Sequence, residues 1–198
     1  MKKIEFEEVR PLEEYEKIRE SFRREVIDLK KKRRLQVGPY VSLTFENRDT
    51  VLFQIQEMMR TELLHDRAKI QEEIDVYNDL IPGPRELSAT LFIEITEQNK
   101  VKEVLDKLIG VDKENRVYFQ IAQKKRVPAI FESGRSSEEK ISSVHFLRFK
   151  WNFVEIETFR MEKESSLVID HPTYKERALI SDETKKIILE DLEESENL

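Results

Sequence analysis

No cysteine occurs in the chain, which removes thiolate nucleophiles, disulfides, cysteine-held iron-sulfur clusters and cysteine-type zinc sites together. Glycine is nearly as scarce. Gly38, Gly83, Gly110 and Gly134 stand too far apart to build a P-loop or a glycine-rich dinucleotide turn. The GxSxG elbow of hydrolases and the HExxH zinc motif are also missing. No apolar run approaches the roughly 18 residues that a membrane-spanning helix needs. The segment Met1 to Arg10 mixes charges with single apolar residues and has no signal-peptide core, so the expected location is the cytoplasm.

What the chain has in excess is charge. Charged residues make up 38% of its 198 positions, against a usual level of about 25%. The 35 basic and 41 acidic side chains leave a net charge of −6. A surface rich in Glu and Lys suits ion-pair networks of the kind used at high temperature, so a thermophilic source is expected. Leu, Ile, Val and Phe still supply about three residues in ten, well above the level of roughly 20% below which disorder sets in. A folded core at this length fits one domain.

Apolar periodicity orders the elements. Tyr15, Ile18, Phe22, Val26 and Leu29 recur at three or four residues and predict a helix over 11–34. Alternation of Val37, Val41, Leu43 and Phe45 predicts a half-buried strand over 36–45, bent at Gly38-Pro39. A second helix opens near Asn47 with Leu52, Ile55, Met59 and Leu63 in its apolar row. A third, over 67–80, is stopped by Ile81-Pro82-Gly83-Pro84. Next come a strand over 87–96, a helix over 99–109, strands over 116–122, 126–131 and 142–149, and a helix over 152–162. A short strand over 167–169 is ended by Asp170-His171-Pro172, and a helix follows from Ser181 or Asp182 to Leu192. Gly134 to Lys140 is polar and serine-rich and is expected to be a mobile loop.

The expected fold class is α+β. An N-terminal helical lobe over residues 1–82 packs on a mainly antiparallel sheet from residues 86–180, in a ferredoxin-like βαββαβ order with an extra hairpin. A C-terminal helix and acidic tail over 181–198 complete a single domain.

Three groups of residues carry candidate chemistry. His145 lies in an apolar strand, and His171 follows Asp170 beside a proline, where the carboxylate could orient the ring. His145, Asp170 and His171 are therefore the metal or acid-base candidates, set against a structural histidine and an Asx-type turn. No cofactor is predicted, although a divalent metal is possible at that trio. Glu62-x-x-His65 matches half of a carboxylate-bridged di-iron signature, but a second ExxH is absent.

The second group, Arg48, Asp49, Gln56, Glu57 and Arg60, crowds polar groups onto two faces of one helix, with Asp75 and Asn78 placed to join them. A buried network that binds a polar ligand or partner is one account, and capping plus solvated pairs is the other. The third group is basic. Residues 22–34 carry seven Lys and Arg against Glu25 and Asp28, and Lys124-Lys125-Arg126 adds a second cluster. Nucleic-acid binding is disfavoured by the overall negative charge and by the lack of an aromatic RNA-binding signature. The acidic residues of 182–198 offer a counter-charge for the basic helix, within one chain or between chains of a homo-oligomer.

The strings FENRDTVLFQIQEM (45–58), EIDVYN (73–78), PGP (82–84) and ELSATL (86–91), with Val144-His145 and DHPTY (170–174), closely resemble a bacterial family known as domain of unknown function 3501. The resemblance spans nearly the whole chain and brings no catalytic role with it. Members are often encoded beside a rubrerythrin-like protein and an iron-sulfur oxidoreductase. What the resemblance implies is an accessory or interaction protein of a cytoplasmic redox or oxidative-stress system, with those proteins as partners and no membrane. An enzyme or metal-binding protein using His145, His171 and Asp170 is one alternative, and nucleic-acid binding through the basic helix 22–34 is the other.

Overall fold

The computed structural model describes residues 1–123, 125–134 and 140–194. Helix α1 (Leu12–Lys32) carries Glu13 and Glu14 in its first turn and Lys30, Lys31 and Lys32 in its last, both matched to the helix dipole. The chain then makes a tight hairpin of β1 (Arg34–Val37) and β2 (Val41–Glu46). Gly38 supplies the turn with a φ of 71°, and a side chain there would run into Glu176 and the Tyr174 hydroxyl. Asn47 caps α2 (Arg48–Thr61): its Oδ1 accepts from Thr50 N–H at 3.0 Å, and Thr50 Oγ1 accepts from Asn47 N–H at 2.9 Å. Asp66 caps α3 (Arg67–Asn78). There follow β3 (Glu86–Ile93), α4 (Val101–Leu108), β4 (Val117–Ala122), β5 (Lys125–Phe131), β6 (Val144–Lys150), α5 (Phe153–Met161), β7 (Ser166–His171), β8 (Tyr174–Leu179) and α6 (Asp182–Glu194). No helix among the described residues is long and apolar enough to cross a membrane. The serine-rich loop expected from Gly134 onward falls largely on residues 135–139, outside the described residues, as does Lys124.

The eight strands form one sheet in the order β1-β2-β3-β6-β5-β4-β7-β8, each neighbouring pair antiparallel. At its ends β8 returns beside β1. Tyr174 donates its hydroxyl proton to Val37 O at 2.6 Å and accepts from Tyr40 N–H at 3.2 Å, and the sheet nearly closes into a barrel.

This overturns the expected α+β arrangement of a helical lobe on a ferredoxin-like sheet. Two turns account for the error. The span 36–45 is not one bent strand but a hairpin folded at Gly38, and the strand ending at His171 turns at Pro172-Thr173 into β8. The two strands thus overlooked are the outermost ones, whose meeting curls the sheet. A split βαβ fold also needs parallel neighbours, and none exists among the described residues. The N-terminal residues contribute β1 and β2 to the sheet itself.

Alternate residues face inward and fill the interior, as eight strands allow. Phe119 sits among Phe45, Phe149, Trp151 and Phe159 at centroid distances of 4.7–6.2 Å. Ile156 and Phe159 of α5, with Ile188 and Leu192 of α6, join this core from one end, and Val104 and Leu108 of α4 join it from the other. A second, smaller core lies outside the sheet. Val51, Ile55 and Met59 of α2 and Ile70 and Ile74 of α3 enclose Met1, Ile4, Val9 and Leu12 there. The outward residues of β2 and β3 are therefore also covered, which is why all six positions of β2 are buried. Glu46 is one of them. Its carboxylate accepts from Thr90 Oγ1 at 2.6 Å, Thr50 Oγ1 at 2.5 Å and Gln54 Nε2 at 3.1 Å, tying α2 to the sheet.

Candidate functional site

The polar residues of α2 are spent on the chain's own N-terminal part. Gln56, buried, accepts from Arg10 N–H at 2.8 Å and donates to Arg10 O at 3.1 Å. Asn78 does the same for Ile4, at 2.8 and 2.9 Å. Glu57 accepts from the Tyr15 hydroxyl at 2.7 Å and from both Nε and Nη2 of Arg19 at 2.8 Å. The Arg19 guanidinium holds its carboxyl below the usual carboxylate range. Arg60 pairs with Glu16 of α1 at 2.6 Å, and Arg48 pairs with Glu8 and donates to Lys2 O. Asp49 is exposed in the first turn of α2, and Asp75, exposed on α3, accepts from Gln71 at 2.9 Å. The contacts of Gln56, Asn78, Glu57, Arg60 and Arg48 clamp α1 or the leading segment onto α2 and α3, whereas that of Asp75 stays within α3. The residues do not converge on one cavity.

The two buried histidines are held separately. His145 points into the sheet interior in register with Leu147 and Phe149. Its Nε2 lies 2.9 Å from Ser142 O, and its ring meets Phe131 edge-on. His171 places Nε2 3.0 Å from Ile109 O, which only accepts, so Nε2 carries the proton and Nδ1 faces Thr173. Burial pushes its pKa below the ordinary histidine value. Asp170 projects from the other side of β7 and pairs with Lys175 at 3.3 Å, so it does not orient the His171 ring. No group of three His, Asp or Glu side chains that could hold a metal ion occurs among the described residues. The Glu62–His65 pair is not helical either. Helix α2 ends at Thr61, and Leu63 adopts a φ of 51°.

The basic run ending α1 is largely paired within the chain. Lys31 meets Asp28, Lys32 meets Glu183, Arg34 meets Glu94, and Lys30 lies over the Phe53 ring. Arg33 is buried: its Nε donates to Phe45 O at 2.8 Å, and its guanidinium pairs with buried Asp191 of α6. Burial raises the Asp191 carboxyl to about 6, against the pull of Arg33. In the second basic cluster, Lys125 donates to Thr158 and Arg126 stacks 4.3 Å from the Tyr118 ring.

One concave feature left open among the described residues is a groove of about 650 Å³ between α3 and the outer face of β6 and β5. Glu73, Val76, Tyr77 and Leu80 lie three or four residues apart and form its helical wall, while Phe146 and Ser88 lie on the sheet side and Ile130 and Phe131 at the far edge. Val76 is 65% exposed and Ile130 50%. Arg148 crosses the groove's end and is engaged by Glu86 and Asp79 O. Burial, and then the charges of Glu62 and Glu72, push the Glu73 carboxyl up. Motif reasoning missed this site, since none of its residues belongs to a catalytic pattern. The available signal was parity: Val76 lies off the Ile70–Ile74 row, and Ile130 shares the outward parity of Arg126 and Pro128.

Fold and site together define a class: an antiparallel, barrel-like sheet with an apolar interior, sheathed on one side by helices and carrying an amphipathic groove at the sheath's edge. The chain belongs to the family described as "Protein of unknown function (DUF3501)", whose model matches residues 3–192. It is also similar to a solved structure, a novel protein of unknown function from Burkholderia pseudomallei K96243, with 31% identity and a TM-score of 0.88. That match covers 96% of this chain and 100% of the other. No curated protein matches the sequence.

Proposed function

We propose that this protein is a non-enzymatic accessory or interaction protein that binds a partner of a cytoplasmic redox or oxidative-stress system through the groove beside α3. The observation that carries the interaction role is the groove itself, with Val76 and Ile130 left exposed at its two walls. The interior of the sheet is filled by its own apolar side chains, and the polar groups of α2 are engaged in clamping the leading segment, so the groove is a surface still open to a partner. The redox setting is supported by the gene company implied by the family resemblance.

The test is a binding titration of the full chain against purified rubrerythrin-like and iron-sulfur oxidoreductase proteins. Wild type is compared with a Val76→Gln/Ile130→Thr double variant whose fold is checked by circular dichroism. Saturable binding of one of these proteins, weakened about tenfold or more in the variant, is the expected result. Binding to neither would remove the redox assignment. Binding unchanged in the variant would remove the groove.

A further inference from the structure

The three helices of the sheath lie side by side in the order α1, α2, α3. Tyr15 and Arg19 of α1 meet Glu57 of α2, and Ile55 and Met59 of α2 share a core with Ile70 and Ile74 of α3. Beneath them the strands run β2-β3-β6-β5. Helix α2 covers β2 and β3 through Glu46, Thr50 and Thr90, and the end of α3 covers β6 through Arg148. The next strand, β5, has no helix of the sheath over it among the described residues: outward-facing Pro128 and Ile130 are exposed. The free flank of α3 presents Val76 toward this uncovered strip. The space between them lies beside α3 in the same layer and has Val76, Tyr77, Ile130 and Phe146 among its walls.

The charge around it is one-sided. Glu73 lies in the groove wall and Glu62 and Glu72 are its neighbours. None of the three pairs with a cation among the described residues, although ion pairs are frequent elsewhere on this surface. The basic group at the groove, Arg148, is already neutralised by Glu86. Resting on the interaction role proposed above, we infer that the groove's occupant is an amphipathic helix of a partner protein, with an apolar stripe that packs on Val76 and Ile130 and flanking Lys or Arg residues that meet Glu62, Glu72 and Glu73. Its docking extends the helical sheath by one member over β5. Apolar contact supplies the affinity, and the unpaired acids select against acidic helices.

The probe is a fluorescein-labelled helical peptide with leucines at i, i+3, i+4 and i+7 and lysines elsewhere, and its control replaces each lysine by glutamate. Fluorescence anisotropy with the full chain is expected to show saturable binding of the lysine peptide, weakening as salt rises, with the glutamate peptide at least about tenfold weaker. Val76→Gln/Ile130→Thr is expected to weaken binding about tenfold. Glu62→Gln/Glu72→Gln/Glu73→Gln is expected to weaken it severalfold and to flatten its salt dependence.

If the glutamate peptide binds as well as the lysine peptide, or the Gln triple variant binds normally while the apolar variant does not, the basic partner is overturned and the groove stands. If neither variant changes binding, the groove falls as well. Sedimentation velocity gives the remaining arm: a dimer of the chain alone that Val76→Gln/Ile130→Thr dissolves would make a second copy the occupant and overturn the partner helix. The chain's lack of cysteine allows a placement check. Val76→Cys provides a unique thiol, and a lysine peptide whose cysteine is carried as its 2-thiopyridyl disulfide is expected to exchange with it, releasing 2-thiopyridone, faster than with an Asp49→Cys control on the exposed start of α2. Equal rates would overturn the placement.

Discussion

Replacing Arg33 by methionine tests the pair that fastens α6 to the barrel-like sheet. Arg33 and Asp191 are 3% and 5% exposed, and the guanidinium also donates to Phe45 O and, at 3.4 Å, Glu46 O. Arg33→Met strands two buried carbonyls, at about 1–3 kcal/mol for such groups, and leaves Asp191 without its cation. The second part depends on pH. In the wild type the Asp191 pKa of about 6 exceeds its unfolded value, so its protonation favours the folded state. That contribution is complete below roughly pH 4 and is lost as pH rises through the folded pKa. Removing the cation raises the folded pKa further, which extends the loss to higher pH at about 1.4 kcal/mol per unit.

Between pH 5 and 8 the cost of Arg33→Met therefore grows by up to about 2–3 kcal/mol, reaching about 3–5 kcal/mol at the alkaline end. For a chain of this size that is a fall in Tm of about 10 °C. The double variant Arg33→Met/Asp191→Leu removes both charges and is expected to lie within about 2 kcal/mol of wild type, with little of the added pH dependence. Urea unfolding followed by tryptophan fluorescence measures both. Trp151 is the sole tryptophan and is buried beside Phe159 of α5, which packs against α6. A cost for Arg33→Met that is the same at pH 5 and pH 8, or a double variant no more stable than the single one, would refute the reasoning.

Gly38→Ala forces a side chain into a left-handed backbone and against Tyr174 and Glu176, where β1 meets β8, so a loss of about 2 kcal/mol or more is expected in the same urea assay; a loss under about 0.5 kcal/mol would mean that the seam is loose. Gln56→Ala and Asn78→Ala each remove a two-way amide bridge to the leading segment and should cost about 1–3 kcal/mol, with faster hydrogen exchange at the Arg10 and Ile4 amides, respectively. Exchange unchanged at those amides would mean that the segment is held by its apolar residues alone. Because burial lowers the His171 pKa, its folded form binds protons less readily than the unfolded chain, and this group's contribution to stability falls as pH drops below about 6.5. Imidazole NMR should show a titration midpoint for His171 below the ordinary histidine value; a midpoint at or above that value would contradict the burial of its ring.

How legible the structure is in the sequence differs by element. Amphipathic rows placed α1, α2 and α3 within a few residues because that signal is local, and Asn47 and Asn152 cap α2 and α5 in the fold. The sheet's closure is not local. It depends on Gly38 and on Pro172-Thr173 acting as hairpin turns. Without knowledge of what the next residues pair with, a bend inside one strand and a turn between two look alike. The polar groups of α2 were visible as unusual, but their partners are backbone atoms of Ile4 and Arg10, which no side-chain pattern reveals. Asp170 and His171 are adjacent in sequence and therefore face opposite sides of β7, a consequence of strand parity that the assumed strand end at these residues concealed. The groove was hidden for another reason: its residues come from α3, β3, β5 and β6, and only the strand order places β6 beside β3 and so brings β5 and β6 near α3.

The strand order also explains why the proposed groove lies on the outside of this molecule. Eight strands curled this tightly leave an interior just wide enough for side chains, and here Phe45, Phe119, Phe149, Phe159 and Trp151 occupy it. Enlarging that space would mean removing aromatic rings that hold the two ends together, at several kcal/mol each. The outer face carries no such constraint. There the helical sheath is fastened by side-chain hydrogen bonds to individual strands, such as Thr50 to Glu46 and Arg148 to the Asp79 carbonyl, and it stops where those anchors stop. The uncovered strip along β5 is the consequence of a sheath with three helices laid on a sheet wide enough for more. The proposed partner helix would displace none of the described residues there and would leave both cores intact, so it could come and go without unfolding the protein that receives it.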